Sequence, residues 1–297
     1  MMIDRVCISL NARCNLKCVY CHFANKKNNS ASKLNEFGVK DVRVICANIY
    51  EYIKDNNIPA FKIGIVGSGE PLLSFDSLKE IVTYFADSDL KERIRMYVIS
   101  NGTLLSEEIV EFFYEYKTII ELNISLDGDY ETNNRLRGCF PDLSIYKKVF
   151  GVLPKINAVV TKEIIENKER ILSFFVDNGF RMINFSKVFG TDNPDVAVQD
   201  NDYNNFLKDA QLRGIVSRQN SGERKYDCAK YGRLCGVGRN NIFITKTGVY
   251  PCGRFMDLKE HIIANWDESF ETIVNRLSRY NPCPDDQCYF EYNKVGK

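Results

Sequence analysis

Residues 3–188 alternate short apolar runs with amphipathic stretches about six times, and no other feature narrows the fold as far. "RVCISL", "AFKIGIVGSGEP", "IRMYVISNGT", "TIIELNISLDG", "KINAVVT" and "RMINFSKV" read as strands. Between them, residues 39–54, "FDSLKEIVTYFA", "SEEIVEFFYEY", "LSIYKKVFGVL" and "IIENKERILSFFVDNGF" carry helical spacing, with Ser74 and Ser106 as expected N-caps and Gly179 as a helix end. Strands alternating with helices at this interval predict a parallel sheet with crossover helices, an α/β fold. Turn residues follow the strands at 67–70, 100–102 and 125–128. Ligands of parallel α/β folds sit at such strand ends, so these turns are the first candidates for a site.

Beyond residue 190 the character changes. "GTDNPDVAVQDNDYNNF" and "RQNSGERKYD" are rich in Asn, Asp, Ser and Gly, and read as a linker over 191–225 with one short helix near 202–213. Residues 226–297 read as a small cysteine-rich domain, which needs a metal or another staple for want of a core. The expected organisation is thus a domain over 1–190, the linker, and the tail. With 40 basic and 39 acidic residues, nothing argues for a nucleic-acid or membrane partner. No apolar run approaches the roughly 18 residues of a membrane span, and "MMIDRVCISL" lacks the features of a signal peptide. A cytoplasmic location is expected.

In a reducing cytosol, closely spaced cysteines point to metal rather than to disulfides. Eleven cysteines are present. Cys7 and Cys46 read as small buried hydrophobes in a strand and a helix. Cys14, Cys18 and Cys21 fall in "RCNLKCVYCHF", in the loop after the first strand. Such a spacing arises by chance roughly 0.015 times per chain of this composition. Three thiolates suit an iron–sulfur cluster with one iron left open, the mark of a reactive site. The alternative is a zinc site with His22 as fourth ligand, for which the spacing is poor.

"CNLKCVYC" resembles the CxxxCxΦC signature of the radical S-adenosylmethionine (SAM) superfamily, with Tyr20 at the aromatic position. The resemblance implies a partial (β/α)6 TIM-like barrel, and a [4Fe–4S] cluster on Cys14, Cys18 and Cys21. The open iron would chelate the amino and carboxylate groups of SAM. Its reductive cleavage would give a 5′-deoxyadenosyl radical that takes a hydrogen atom from an unactivated C–H bond. Other motifs extend the resemblance. Gly67, Ser68, Gly69 and Glu70 look like the family's Gly-Gly-Glu motif, and Glu70 is expected to accept from the methionine ammonium. "SNGT" (Ser100, Asn101) and "SLDG" close the next two strands. Ser125 is expected to bond the ribose, and Asp127 the ribose or the substrate. Arg137 of "RLRG" is expected to clamp the methionine carboxylate, the alternative being a solvated charge.

A second cysteine group comprises Cys228, Cys235, Cys252, Cys283 and Cys288. "NIFIT" and "VYP" predict a hairpin about Lys246–Gly248, with Gly248 supplying positive φ. The layout resembles the SPASM/twitch extension of radical SAM maturases. It implies an auxiliary [4Fe–4S] cluster on Cys235, Cys252, Cys283 and Cys288, with zinc as the alternative content and Cys228 spare.

Similar proteins with this extension act mostly on peptides. The expected function is oxidative modification, a crosslink, of a ribosomally made peptide or small protein, with an external electron donor such as flavodoxin or ferredoxin. With the cysteine loop beginning at residue 13, no leader-binding domain is expected before it. Alternatives are a peptide epimerase, in which Cys139 or Cys228 returns a hydrogen atom, and a twitch-type small-molecule alcohol dehydrogenase. A zinc-stapled binding module would be a different class altogether.

Overall fold

The computed structural model describes residues 2–21, 23, 35–188, 193–216, 241–256 and 258–279. Six strands, β1 (Arg5–Ile8), β2 (Phe61–Ile65), β3 (Ile94–Ser100), β4 (Ile120–Ser125), β5 (Lys155–Val160) and β6 (Ile183–Lys187), lie side by side in chain order and pair in parallel. A strand order that never reverses keeps every crossover on one face of the sheet. That face is covered by α1 (Val39–Asp55), α2 (Phe75–Ala86), α3 (Glu107–Glu115), α4 (Tyr130–Arg137), α5 (Ser144–Phe150), α6 (Lys162–Glu166) and α7 (Lys168–Asp177). The result is the expected α/β partial barrel.

The strands' two faces differ in chemistry. Ile63, Ile65, Met96, Val98, Leu122, Ile124, Ile156, Ala158, Ile183 and Phe185 share one core with the helices. The intervening residues belong to the opposite face, as a period of two requires. There Asn184 Nδ2 donates to Asn157 Oδ1 at 3.0 Å, Lys155 pairs with Glu121, and Tyr97 lies over Gly64, where a Cβ would stand 2.5 Å from its ring. Cys7 and Cys46 are both buried, as read from the sequence.

Ser106 caps α3, accepting from Ile109 N at 3.3 Å. Ser74 does not cap α2. A 3-10 turn over Pro71–Ser74 precedes that helix, capped by Glu70, and the Ser74 hydroxyl instead donates to Glu36 at 2.6 Å. Asn167 divides the expected helix after β5 into α6 and α7. In the polar stretch, α8 (Asp200–Leu212) buries Phe206 and Ala210 in the main core.

β7 (Asn241–Thr245) and β8 (Gly248–Tyr250) form the predicted hairpin, with Gly248 at φ 146°. The sheet continues into it. β7 pairs in parallel with β1, and the order becomes β6-β5-β4-β3-β2-β1-β7-β8. The following α9 (Phe270–Leu277) packs Phe270 against Tyr52 and Phe61, with ring centroids 5.4 and 6.4 Å apart. Trp266 meets Phe37 edge-on at 5.3 Å. The described part of the tail therefore shares the barrel's core. Among the described residues, no helix is long and apolar enough to cross a membrane.

Candidate functional site

The cysteine loop leaves the end of β1 and is held by three neighbouring strand ends. Its root rests on the turn after β2. Asn11 Nδ2 donates to Glu70 O at 3.0 Å and to Ser74 Oγ at 2.7 Å, while its Oδ1 accepts from Arg13 N at 2.8 Å. Glu70 N donates to Arg13 O at 2.7 Å. Gly69 permits this approach: a Cβ there would stand 2.0 Å from Asn11 Oδ1 and 2.5 Å from Arg13 O. A Cβ on Gly67 would stand 2.0 Å from Ser9 Oγ. Ser68 Oγ donates to Asn11 O at 3.4 Å. The glycines of "GSGEP" thus let two backbones meet.

Glu70 is only 3% exposed. Its Oε1 accepts from Ser100 Oγ at 2.7 Å and Leu72 N at 3.1 Å, and its Oε2 from Asn101 N at 2.8 Å. Burial pushes this carboxyl above the usual carboxylate range, and the donated bonds offset part of that. A carboxylate offers about four acceptor positions. Three are filled among the described residues, which leaves one open.

The turn after β3 grips the loop's first half. Asn101 Nδ2 donates to Asn15 Oδ1 at 2.8 Å and lies 4.0 Å from Cys14 Sγ. Asn15 Nδ2 donates to Thr103 Oγ1 at 2.7 Å. Leu16 N donates to Cys14 Sγ at 3.4 Å.

The loop's second half is held from β4, α4 and β5. Val19 N donates to Leu136 O at 2.9 Å. The Tyr20 hydroxyl donates to Asp127 Oδ2. Asp127 is fully buried. It is forked by Arg137, Nε to Oδ2 at 2.7 Å and Nη2 to Oδ1 at 2.9 Å, and accepts from Val159 N at 2.8 Å. The Asp127 backbone N donates to Asn133 Oδ1 at 2.8 Å. Burial opposes the Arg137 charge, and Asp127 beside it more than offsets that. Burial and the neighbouring Asp127 hold the Tyr20 phenol well above its usual range, so it remains a donor. The fork expected for a methionine carboxylate is closed on Asp127. Ser125, 8% exposed at the end of β4, makes no side-chain bond among the described residues.

Cys14 is exposed, Cys18 and Cys21 are half-buried, and none is in a disulfide. Burial raises the Cys14 thiol and lifts Cys18 to about 11. Cys139 is half-buried just beyond α4, in the electrostatic reach of Arg137 and Cys14. Cys252 packs beside Cys7, Phe243 and Tyr250. Cys228, Cys235, Cys283 and Cys288 lie outside the described residues, as does His22.

Residues 8–145 match the family described as the radical SAM superfamily. That stretch is a radical SAM domain. The chain is 33% identical over 190 residues to an uncharacterised protein of Methanocaldococcus jannaschii, covering 60% of each chain. It is 26% identical over 189 residues to a cysteine-type anaerobic sulfatase-maturating enzyme of Clostridium novyi, covering 59% of this chain and 48% of the relative. The matches thus span about half to three fifths of these relatives' lengths. Among solved structures, anSMEcpe with bound AdoMet superposes with a TM-score of 0.74 at 20% identity, covering 93% of this chain and 82% of that one. Streptococcus suis SuiB bound to precursor peptide SuiA gives 0.65 at 19%, covering 92% and 64%. At these identities the likeness is one of fold.

A radical SAM domain implies a [4Fe–4S] cluster and SAM. The donor set fits: three soft thiols on one loop, at the mouth of the barrel and free of disulfides. Among the described residues, no three His, Cys, Asp or Glu side chains form a group that could hold a single metal ion. A cubane needs no such group, because each thiolate takes its own iron.

The sequence reading missed the residues that support the loop from behind: Asn11, Asn15, Glu36 and Asn133; Thr103 it held only as the last letter of "SNGT". Glu36, besides accepting from Ser74, takes a two-oxygen contact from Arg13 Nη2 at 2.8 and 2.7 Å. Only Asn15, inside the cysteine motif, and Asn11, three residues before it, could have been found by position.

Proposed function

We propose that this chain reductively cleaves SAM and uses the product radical on a peptide or small protein, most specifically to form an oxidative crosslink. The observation that carries the reading is the cysteine loop rooted at the end of β1 and hydrogen-bonded to the turns after β2 and β3. In this reading Cys14, Cys18 and Cys21 hold a [4Fe–4S] cluster. When bound, the cluster supplies the electron that cleaves the sulfonium C–S bond. The chain's own groups do the placing. The fourth acceptor position of Glu70, the Gly67–Ser68 carbonyls and the unpartnered Ser125 hydroxyl are set to receive the ammonium and hydroxyl groups of SAM. Cys235, Cys252, Cys283 and Cys288 are assigned an auxiliary cluster. A flavodoxin or ferredoxin is assigned as donor, and cytoplasmic action follows from the need for both. The peptide substrate is supported by the names of two similar proteins, a sulfatase-maturating enzyme and SuiB with its precursor peptide.

The test is iron content after anaerobic reconstitution, followed by 5′-deoxyadenosine release with dithionite. The wild type should carry about four more irons than a Cys14/Cys18/Cys21→Ala variant, and only the wild type should release 5′-deoxyadenosine. Equal iron in both would overturn the reading. With a candidate peptide, loss of two hydrogens marks a crosslink. A second reading, epimerisation, is favoured by the half-buried Cys139 beside the loop. It predicts one solvent-derived deuterium with no other mass change, lost in Cys139→Ala.

A further inference from the structure

Asp127 has no acceptor position left for a ligand, and Arg137 has its two-bond fork committed to it. Asp127 is fully buried, and its oxygens take four donors: both arms of Arg137, the Tyr20 hydroxyl and Val159 N. Arg137 is 7% exposed, and both bonding atoms of its fork are spent on Asp127. The guanidinium carbon also lies 5.5 Å from the centre of the Tyr20 ring. Tyr20 stands between Cys18 and Cys21, and the preceding Val19 N is bonded to Leu136 O, one residue before Arg137. Side chain and backbone therefore fasten the same half of the loop to the same helix end.

We propose that Tyr20, Asp127 and Arg137 are a buried brace that sets the position of Cys18 and Cys21. Asp127 and Arg137 are thus positioning residues that act through Tyr20 rather than by touching SAM. The inference rests on the radical SAM reading only for the purpose of the brace; the brace itself is a property of the chain without iron. The parts are suited to rigidity. The Arg–carboxylate fork fixes orientation as well as distance. A Tyr has only two side-chain torsions to lock, so its hydroxyl transmits that orientation to the loop with little slack. The opposite half of the loop depends on exposed and half-buried amide contacts of Asn15 and Asn101. Cys14 is accordingly the thiol whose position the brace does not set.

The experiment is amide hydrogen exchange on the full chain without iron, then electron paramagnetic resonance of the reduced, reconstituted protein. Tyr20→Phe keeps the ring and removes one hydroxyl. It should raise exchange across residues 18–21 about tenfold while the β2–β3 core exchanges as in the wild type. Arg137→Lys, which loses the fork, should do the same, and the double variant should add little to either alone. In all three, the reduced-cluster signal should broaden or shift although global unfolding is unchanged. A group that contacts SAM directly behaves otherwise: Arg137→Lys would weaken SAM binding with loop exchange unaltered, and Tyr20→Phe would match the wild type. That pattern overturns the brace. Should Asp127→Asn fail to fold, the two milder variants decide the matter. Should the protein take no iron, the radical reading fails while the exchange result still stands or falls alone.

Discussion

Ser100 at the end of β3 donates a 2.7 Å hydrogen bond to Glu70 in the turn after β2, so two adjacent strand ends share one buried carboxylate. Leu72 N and Asn101 N donate to the same carboxylate. Glu70→Gln turns one acceptor oxygen into a donor facing donors. It should cost about 1–3 kcal/mol in urea unfolding of the iron-free protein and weaken SAM binding to the reconstituted one.

The same carboxylate makes a pH signature. Burial raises its pKa in the folded chain above the 4.5 of an exposed Glu. The folded state then holds the proton more tightly than the unfolded state. This group's contribution is full below 4.5 and is lost as pH rises through the raised folded value. Unfolding free energies measured from pH 4 upward should show the wild type losing stability relative to Glu70→Gln across that window. A flat difference would mean the bonds from Ser100, Asn101 and Leu72 balance the burial.

Gly69→Ala places a methyl 2.0 Å from Asn11 Oδ1 and 2.5 Å from Arg13 O. Backbone cannot yield cheaply at that distance, so the root of the cysteine loop must shift. Strain of about 1–3 kcal/mol is expected, with iron uptake on reconstitution falling well below wild type. Colorimetric iron per chain is the measurement.

Ser106→Ala should remove the N-cap of α3 and cost about 1 kcal/mol in thermal or urea unfolding. It lies away from the loop, so iron content should not change. A drop in iron would show that small global losses alone impair loading.

Phe270→Ala should cost about 3–5 kcal/mol, because this ring is 2% exposed and wedged on Tyr52 and Phe61. Protease cleavage within 258–279 should become faster than cleavage of the barrel helices.

The strand–helix alternation made the barrel legible, because a period of two and a period near 3.6 leave different marks in an apolar pattern. The three-cysteine loop was legible for its spacing. Ser74 misled: a serine before a helix signals a cap, but Pro71 starts a 3-10 turn first and Glu36 claims the hydroxyl. The pairing of Arg137 with Asp127 was hidden because both types bind ligands as readily as each other, and only tertiary placement decides between them. The docking of β7 on β1 was equally hidden, since "NIFIT" specifies a strand and not its neighbour.

That last pairing bears on the order of events during synthesis. β1 has β2 on one side and β7 on the other, with Ser9 N donating to Ile244 O at 2.9 Å and Val66 N to Ile8 O at 3.0 Å. The strand that launches the cysteine loop stays half-paired until residues 241–245 have left the ribosome. Contacts so distant in sequence form late. A nascent chain would thus present its thiols on an unfinished edge until β7 emerges, and iron delivery has most to gain from waiting for that strand.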